Sequence, residues 1–560
     1  MIQPESTLHL ISDFTIEVFG GYLENDPSPP HCQVSYGSFG QVFQELLTTP
    51  APKSTNQDAV VWTLPESVIE PFGRALDSEE VDASDIIDSV DLFADALLTY
   101  SKGVRSLFVP TWVLMPATRG YGFLDWRPGL GLSELLARMN LRLATRLSEV
   151  PNIFLLDAQR WLQVAGGRAT NSKLWFATKV PFGNRVFQEA ALDVKAAILG
   201  TIGKAKKLVV TDLDGIMWGG VVGETGWTEL DLGGHSYSGE AFVAYQQTLK
   251  SLTHRGVLLG IVSKNDEAVA LEAIDQHPEM ILRRSDFAGW RINWGDKAQN
   301  LAELIEELNL GTDAVVFIDD EEIQRGRVRE ALPEVTVVDM PSDPSTYADI
   351  VSSLRCFDTP SLSSEDRHRA LMAVTERERH IVRKEVGSLE EWLAELEITV
   401  SAYPFRNADS ERVIQLLNKT NQMNLRTRRM TESQLLNWLK DDAHHMWTFR
   451  VADRFGDYGL TGLVGFVIKS ETAEVTDFIL SCRAMGRRVE ETMAHLLVDR
   501  AYAQGGKEVI AYYQPTPRNA PCLRFWMDSG FESTGEHTFR WAKANGYSLP
   551  KEVSLVLETT

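Results

Sequence analysis

The chain has 560 residues, more than one hydrophobic core usually organises, so roughly two to four domains are expected. Its composition, 44% hydrophobic and 24% charged residues, is typical of a folded globular protein and excludes an intrinsically disordered one. The net charge of −23 argues against broad binding to nucleic acid or to anionic membranes, because such partners need a positive face. An acidic partner would have to bind a local basic patch.

The four cysteines, Cys32, Cys356, Cys482 and Cys522, lie far apart and form neither a CxxC pair nor a zinc-binding spacing. This pattern indicates free thiols and a cytoplasmic protein. The first residues lack the basic and apolar segments of a secretion signal, and no run of roughly 18 apolar residues occurs. We therefore expect neither export nor a membrane span.

The first block of the chain, residues 1–200, alternates short apolar runs with longer polar or amphipathic stretches. Residues 133–150 have the pattern of an amphipathic helix. The apolar runs predict strands, and together they favour an α/β domain. The predicted strands are LHLISDF, DAVVWTLP, SLFVPTWVLM and NIFLLDA.

The second block, residues 201–360, alternates fully apolar strands with helices predicted at 239–256 and 296–310. Strands that are apolar on both faces and are joined by helices predict a parallel, doubly wound sheet. The predicted strands are KKLVVTDLD, VLLGIVSKND, AVVFIDD and VTVVDM. A helical linker is expected at 361–390.

The third block, residues 391–560, has a different order of elements. A helix precedes three strands, and a helix, a strand, a helix and a last strand follow. The predicted helices are 410–422, 488–505 and 521–531, and the predicted strands are 446–453, 461–470, 473–481, 508–515 and 537–542. The whole chain is therefore expected to be α/β, in three domains.

Polar residues close the strands of the second block. In a doubly wound sheet, chemistry collects at the carboxyl ends of the strands. A nucleophilic aspartate, an aspartate able to exchange a proton, a hydroxyl, an amine and further carboxylates suit phosphoryl transfer through an aspartyl phosphate. These residues are Asp212 and Asp214 after the first strand, Ser263 at the end of the second, Lys297 at the start of a helix, and Asp319 and Asp320 after a later strand.

Several carboxylates in one place would repel one another unless they held Mg²⁺, which would bridge them to phosphate oxygens. An isolated Asp-x-Asp pair after a strand is weak evidence by itself. It does not fit an EF-hand loop, because Ile216 stands where the third oxygen ligand belongs. The further polar residues at consecutive strand ends favour a catalytic site.

The order and spacing of these six residues resemble the four motifs of the haloacid dehalogenase superfamily. More narrowly, the second block is similar to the FkbH-like family of polyketide pathways through DLDGIMWGGVVGETG, SKND, WGDKAQN and FIDD. The third block continues the resemblance through NKTNQMNLRTRR, DRFGDYGLTGLV, SCRAMGRRVE and PTPRNAP, and the first through LWFATKVPF. The resemblance covers essentially the whole chain.

This resemblance implies transfer of a glyceryl group from 1,3-bisphosphoglycerate to the phosphopantetheine thiol of an acyl carrier protein, with dephosphorylation. Asp212 would attack phosphorus, Asp214 would protonate the leaving oxygen and later activate water, and Ser263 with Lys297 would hold the phosphate. The expected ligands of Mg²⁺ are Asp212, the Asp214 carbonyl and Asp320, with Asp319 beside them. The interval from 218 to 257 is too short for a large cap domain, which suits a large substrate or partner.

Two departures from the family pattern affect this site. Gly215 and Ile216 stand where family members usually have Asn and Thr, so a hydroxyl beside the nucleophile is missing. After Asp320, EEIQR replaces a stretch that usually resembles NPAER, which predicts extra negative charge near the metal. An altered substrate or rate is expected.

The third block resembles an N-acetyltransferase-like (GNAT) fold, in which a loop entering a helix binds pyrophosphate through backbone amides. The candidate loop is RAMGRR, with Arg483, Gly486 and Arg488 as cofactor-binding residues, although small residues are usual in place of Arg488. Cys482 lies beside these arginines, which would favour a thiolate able to hold the glyceryl group as a thioester. An inert buried cysteine is the alternative.

A basic cluster, RTRR at 426–429, is a candidate docking site for an acidic carrier protein, although a solvated face is the commoner interpretation. Thr516 and Asn519 are expected to shape a turn, with a place in the acyl-carrier channel as the alternative. The first block resembles an SGNH-hydrolase-like domain but offers only Ser12 and Asp13 at the end of its first strand. We expect a scaffold or partner-binding domain there.

Two other functions stay open at this point. A phosphatase acting on a small phosphorylated metabolite would leave the third block without a role. A degenerate scaffold that binds a carrier protein without turnover would be consistent with Ile216 and Arg488. Phosphate release without a carrier, compared with acylation of the carrier, distinguishes these possibilities.

Overall fold

The computed structural model describes residues 6–48, 57–308, 310–361, 389–516, 518–544 and 546–558, without the side chains of Leu389, Lys419, Ser433 and Cys482. The chain divides into two compact units, the first containing residues 1–206 and 353–362 and the second residues 207–352 and 363–560. Most of the helical linker expected at 361–390 lies outside the described residues. The boundaries predicted for three domains stay a prediction.

The first unit contains a five-stranded sheet in which every strand runs parallel to its neighbours. The strand order is β2-β1-β3-β4-β5, so the order reverses between β1 and β3. The strands are β1 (Ser6–Ser12), β2 (Cys32–Tyr36), β3 (Gln57–Trp62), β4 (Leu107–Pro110) and β5 (Ile153–Leu156).

Helices cover both faces of this first sheet, as expected for strands that are apolar on both sides. They are α1 (Glu17–Asn25), α2 (Val42–Thr48), α3 (Pro65–Val68), α4 (Glu70–Leu76), α5 (Ala83–Ser101), α6 (Leu132–Leu147), α7 (Ala158–Ala165), α8 (Ser172–Thr178) and α9 (Asn184–Thr201). One hydrophobic cluster joins the sheet to α5 and α6. The other joins it to α1, α7 and α9 around Trp62, whose ring contacts Trp161 and Phe187.

Residues 353–361 belong to the first unit although the second sheet precedes them in sequence. Arg355 forms ion pairs with Glu189 and Asp193 of α9. The backbone N–H of Lys206 donates to the Cys356 carbonyl at 2.8 Å. These contacts fasten the returning segment to the last helix of the first unit.

The second sheet has five parallel strands in the order β10-β9-β6-β7-β8, which confirms the predicted parallel sheet. Its strands are β6 (Leu208–Thr211), β7 (Leu258–Ser263), β8 (Phe287–Ile292), β9 (Val315–Ile318) and β10 (Thr336–Val337). Its helices are α10 (Val222–Thr225), α11 (Tyr237–His254), α12 (Glu267–Gln276), α13 (Lys297–Glu307), α14 (Glu322–Ala331) and α15 (Tyr347–Ser352). The strand order reverses between β6 and β9.

The third sheet is mixed and has nine strands. They are β11 (Ile398–Pro404), β12 (Met423–Asn424), β13 (His444–Asp453), β14 (Gly456–Lys469), β15 (Thr472–Leu480), β16 (Glu508–Tyr512), β17 (Glu532–Gly535), β18 (Thr538–Trp541) and β19 (Val553–Leu557). Its helices are α16 (Leu389–Leu396), α17 (Ser410–Lys419), α18 (Glu432–Trp438), α19 (Val489–Ala503) and α20 (Ala520–Asp528). Across the described residues, we find no helix that combines the length and apolarity needed to span a membrane.

Candidate active site

The predicted site residues of the second block meet at the carboxyl edge of the second sheet. Asp212 follows β6, and Asp319 follows β9, on the two sides of the point where the strand order reverses. Ser263 ends β7, and Lys297 begins α13. In open α/β sheets, this reversal opens a crevice in which ligands bind.

Lys297 is the cation at the centre of this edge. Its Nζ lies 2.5 Å from Asp212 Oδ2 and 2.6 Å from Asp319 Oδ2. The side chain is only 2% exposed. Burial lowers the pKa of Lys297, but the charges of Asp212 and Asp319 outweigh it and raise the pKa above its usual value. Lys297 is therefore charged, and it links the ends of β6 and β9.

Three carboxylates surround this lysine. One oxygen each from Asp212, Asp319 and Asp320 lies within 4.8 Å of the others. Burial and the Asp212 charge raise the pKa of Asp319 to about 7. Partial burial and the same charge also raise the pKa of Asp320, the most exposed of the three. One lysine cannot balance three carboxylates, so the group fits a divalent cation with oxygen ligands.

Gly215 gives the carboxylate of Asp320 the space it occupies. The glycine has a φ of +73°, and a Cβ atom built there would lie 2.4 Å from Asp320 Oδ2. An asparagine at this position would have to displace that carboxylate. The departure from the family pattern at Gly215 therefore goes together with the position of Asp320.

Asp214 lies beside the three carboxylates and has different partners. Its Oδ1 accepts hydrogen bonds from Trp218 Nε1 at 2.7 Å and from the Val222 N–H at 3.2 Å. Its Oδ2 accepts one from Asn265 Nδ2 at 2.9 Å. The Gly215 N–H donates to the Trp218 carbonyl at 2.9 Å, which closes the turn that returns the indole to Asp214. The Trp-Gly-Gly stretch thus positions a donor.

Asn265 and Trp218 are the residues of this site that the sequence analysis did not assign. Asn265 is buried and also lies 3.3 Å from the Ser263 hydroxyl. It lies two residues beyond Ser263, within the quoted SKND motif, so its position after a strand end was a usable signal. For Trp218, no pattern in the sequence indicates that the indole turns back toward Asp214.

Of the two extra acidic residues after Asp320, Glu322 pairs with arginines, whereas burial, the Asp212 charge and the Glu321 charge together raise the pKa of Asp320. The Glu322 carboxylate pairs with Arg325 at 2.6 Å and with Arg329 at 3.0 Å. Arg325 Nη1 also donates to the carbonyls of Asp319 and Asp320, both at 2.7 Å. Arg325 thus offsets the Glu322 charge and holds the backbone of the acidic pair, and the expected effect of the extra acidic residues on the metal stays a prediction.

The interval between the Asp-x-Asp motif and β7 is small, as predicted. It contains α10, a 3-10 turn at Trp227–Glu229 and α11. Ile216 is fully buried in this region, so its side chain packs in the core where a threonine hydroxyl was expected from the family. The described residues here include no separate cap domain.

The predicted cofactor loop of the third block forms contacts within the chain. The Gly486 N–H, which the prediction assigns to a phosphate, donates to Glu490 Oε1 at 2.8 Å. Arg488 has a φ of +62° and pairs with Glu491 at 2.8 Å. Arg483 Nε lies 3.4 Å from the Ser481 hydroxyl. These residues form no described hydrogen bond with the site on the second sheet.

Cys482 begins a 3-10 turn, Cys482–Ala484, just after β15. Its side chain lies outside the described part of the chain, so its role as a thiolate stays a prediction.

The RTRR cluster is largely engaged with acidic residues of the same sheet. Arg426 pairs with Glu474 at 2.8 Å, and Arg428 pairs with Asp477. Arg429 donates to the Leu417 carbonyl at 3.0 Å. All three of these arginines therefore have partners within the chain, and docking of an acidic carrier protein at RTRR stays a prediction.

The turn around Asn519 has the structural role that was expected. Asn519 is fully buried, and its Oδ1 accepts hydrogen bonds from the Tyr513 hydroxyl at 2.6 Å and from the Thr516 N–H at 2.7 Å. Its Nδ2 donates to the Asn424 carbonyl at 3.0 Å. Asn519 thus connects the turn to β12.

At the carboxyl edge of the first sheet, Asp13 lies beside the point where the strand order reverses. Asp13 follows β1, and its two carboxylate oxygens each lie 3.1 Å from the Leu64 N–H. The Ser12 hydroxyl accepts the Phe14 N–H at 3.1 Å, and the Phe14 side chain is buried. Ser12 therefore caps a turn, and the scaffold role of the first block stays a prediction.

Comparison with known proteins identifies the fold of part of the chain. No family model and no curated protein match the sequence. Among solved structures, the chain is similar to the N-terminal part of protein BF1531 from Bacteroides fragilis, which contains a phosphatase domain and was crystallised with Mg. The identity is 24%, the match covers 64% of this chain and 95% of that chain, and the TM-score is 0.57. About two thirds of this chain therefore shares the fold of that protein.

Two acetyltransferases also match, over about a quarter of the chain. They are the spermidine/spermine N-acetyltransferase SpeG from Vibrio cholerae (16% identity, 26% of this chain, 95% of that chain, TM-score 0.21) and a GNAT-family protein from Desulfovibrio desulfuricans (11% identity, 26% of this chain, 98% of that chain, TM-score 0.21). Both TM-scores are too low to assign a fold to the third block. Its GNAT-like fold, like the SGNH-like fold of the first block, stays a prediction.

Proposed function

We propose that this chain is a Mg²⁺-dependent phosphatase of the haloacid dehalogenase type. The observation that carries the proposal is Lys297, held between Asp212 and Asp319 where the strand order of the second sheet reverses. The bacterial protein of similar fold contains a phosphatase domain and was crystallised with Mg, which supports the same chemistry here.

The residues fit the metal. Oxygens of the three carboxylates lie within 4.8 Å of one another, and the pKa values of Asp319 and Asp320 are raised. Lys297 alone does not balance the charge of three carboxylates. Asp212, Asp319 and Asp320, with the Asp214 carbonyl, would hold Mg²⁺. The ion would offset the carboxylate charge and polarise the phosphate oxygens.

The side chains then divide the reaction between them. Asp212 attacks phosphorus, so that a carboxylate oxygen–phosphorus bond forms as the ester bond breaks. Asp214 gives a proton to the leaving oxygen and afterwards takes one from the water that hydrolyses the aspartyl phosphate. Lys297 and Ser263 hold the phosphate oxygens during both steps.

The finer proposal names the substrate. We propose that Asp212 removes the ester phosphate of 1,3-bisphosphoglycerate and that the Cys482 thiolate attacks the acyl carbon and displaces the other phosphate. The phosphopantetheine thiol of an acyl carrier protein then takes the glyceryl group from this transient thioester and releases the Cys482 thiol. Motifs similar to the FkbH-like family along the chain support this proposal. The absence of a separate cap among the described residues between 218 and 257 is consistent with a large partner.

A phosphatase acting on a small phosphorylated metabolite is the second candidate. It is favoured by the Gly486 N–H, which donates to Glu490 and so is already engaged where a cofactor phosphate was predicted. Under this alternative, the third block would take no part in the chemistry.

The experiment incubates the full chain with Mg²⁺ and 1,3-bisphosphoglycerate, with and without a phosphopantetheinylated carrier protein. Released phosphate and the intact mass of the carrier are measured. We expect phosphate release that EDTA abolishes reversibly, together with a glyceryl-sized increase in the mass of the carrier. Phosphate release without carrier acylation would favour the small-metabolite phosphatase. Carrier binding without either reaction would indicate a scaffold.

A further inference from the structure

We propose that Asn265 is a positioning residue that orients the Asp214 carboxyl group for proton transfer. This inference rests on the proposed phosphatase function and adds a residue to it. Asn265 follows β7, whereas Asp214 follows β6, so the contact between them joins two neighbouring strand ends.

Hydrogen bonds to both oxygens fix the orientation of the Asp214 carboxylate. A carboxylate has two oxygens, and both accept hydrogen bonds here, from Trp218 Nε1 and the Val222 N–H on one oxygen and from Asn265 Nδ2 on the other. Donors on both oxygens fix the rotation of the carboxyl plane. A general acid must point a single proton at the leaving oxygen, so a fixed plane has a direct effect on the rate.

The side-chain amide of Asn265 contacts two residues of the site. A side-chain amide has two N–H bonds and can serve two acceptors at once. The two contacts of Nδ2 are Asp214 Oδ2 at 2.9 Å and the Ser263 hydroxyl at 3.3 Å. The residue is only 3% exposed, so water cannot easily replace either contact. The group predicted to move the proton and the hydroxyl predicted to hold the phosphate are thus contacted by the same side chain.

A positioning role and a packing role predict different rate losses for alkyl and aryl phosphate esters. An alkoxide is a poor leaving group and needs a proton as its bond to phosphorus breaks. A misoriented general acid therefore slows its departure. It has little effect on p-nitrophenolate, which departs without protonation. A residue that only supports the fold would lower both rates by the same factor.

The experiment compares kcat/KM for β-glycerol phosphate and p-nitrophenyl phosphate in the full chain with Mg²⁺. For Asn265→Ala, we expect a loss of about 100-fold with the alkyl ester and of less than about 3-fold with the aryl ester. Asn265→Leu fills the volume without donating, so it should behave like the alanine variant. A partly unfolded sample would lower both rates together and leave their ratio unchanged.

The control is Asn300→Ala. Asn300 is also a buried amide, on α13, but it pairs with Asn293 and has no described contact with Asp214. Its ratio of the two rates should match that of the wild type. Should Asn265→Ala fail to fold, Trp218→Phe removes the other side-chain donor and is expected to change the ratio in the same direction.

Equal losses with both esters, or full activity of Asn265→Leu with the alkyl ester, would overturn this inference and leave the phosphatase proposal intact. If the wild-type chain with Mg²⁺ hydrolysed neither ester nor the acyl phosphate, the proposed function would fall, and the role of Asn265 would fall with it.

Discussion

The first and second sheets place different side chains on the same kind of edge. Both have five parallel strands, and in both the order reverses beside a strand that is followed by an aspartate. At the second sheet, Asp212 has Lys297 as its partner and two further carboxylates nearby. At the first, Asp13 is followed by the buried Phe14. The same arrangement of strands therefore supports reaction chemistry only where the right side chains meet.

The first sheet also has a cavity at its edge, so the presence of a cavity does not distinguish the two edges. A cavity of about 510 Å³ lies beside Asp13, but its described lining includes no lysine or arginine. Burial raises the pKa of Asp13 to about 6, and the Glu66 charge adds to this effect. The Asp13 carboxylate has no lysine or arginine in the described lining of this cavity, whereas Asp212 and Asp319 at the second sheet both bind Lys297. The comparison teaches that the counter-charge, not the concave shape, distinguishes the two edges.

The largest expected effect comes from matched substitutions of the two edge aspartates. Asp212→Asn should lower phosphate release by at least about 1,000-fold, because an amide oxygen is a poor nucleophile toward phosphorus. Asp13→Asn should leave phosphate release unchanged. Steady-state release with Mg²⁺ measures both. Undiminished release by Asp212→Asn would remove the distinction between the two edges.

The next effect comes from the buried lysines of the two units. Lys297→Met should lower kcat/KM by about 100-fold, because it removes a phosphate ligand and leaves Asp212 and Asp319 without their cation. Lys195 is just as buried and binds Asp26 at 3.1 Å, in the first unit. Lys195→Met should lower the melting temperature but leave kcat/KM per folded molecule unchanged. Equal kinetic losses in the two variants would show that Lys297 acts through stability.

A smaller effect is expected from two glycines with similar backbone conformations. A Cβ atom at Gly215 would lie 2.4 Å from Asp320 Oδ2, whereas one at Gly40, with a φ of +71°, would meet no atom within 4 Å. Both alanine variants should lose about 1 kcal/mol of stability from the backbone strain. Only Gly215→Ala should also raise the Mg²⁺ concentration for half-maximal activity, by about 10-fold. A normal Mg²⁺ requirement in Gly215→Ala would argue against Asp320 as a ligand.

The smallest effect concerns pH and the edge of the first sheet. The pKa of Asp13 is raised from 3.8 to about 6, so the folded state binds more protons than the unfolded state between these values. Stability contributed by the protonated group is therefore present below about pH 4 and is lost as the pH rises through 6. Asp13→Asn should be more stable than the wild type by about 1–2 kcal/mol at pH 8 and equal to it at pH 4. Hydrogen exchange of β1 amides measures this difference, and its absence at pH 8 would contradict the assignment.

Much of the fold could be predicted from apolar patterns. β6, β7 and β9 are apolar on both faces, and their predicted runs contain the observed strands. β2 was missed because its sequence, CQVSY, is mostly polar and partly exposed at the sheet edge. β8 was missed because its sequence, FAGWRI, interrupts the apolar run with glycine and arginine. Periodicity is weak in such strands, and tertiary contacts decide their conformation.

The candidate site was predictable to the extent that its residues follow strands. Asp212, Ser263 and Asp319 each occur at a strand end, and parallel strands bring such ends together. The contact of Trp218 with Asp214 was not predictable, because the indole returns through a turn that local sequence does not specify. The pairing of Arg426 and Arg428 with acidic residues of β15 likewise depends on the register of the third sheet.

The return of residues 353–361 to the first unit has a consequence for synthesis on the ribosome. Asp193 and its cation Arg355 are 162 residues apart, so at ~5–20 residues per second the arginine emerges roughly 8–30 s after the aspartate. During that interval, the Asp193 carboxylate of the nascent chain has only the Trp161 indole as a described partner. All strands of the second sheet are synthesised within the same interval. The first unit is therefore completed only after the second sheet, which carries the candidate site, and before the third sheet is synthesised.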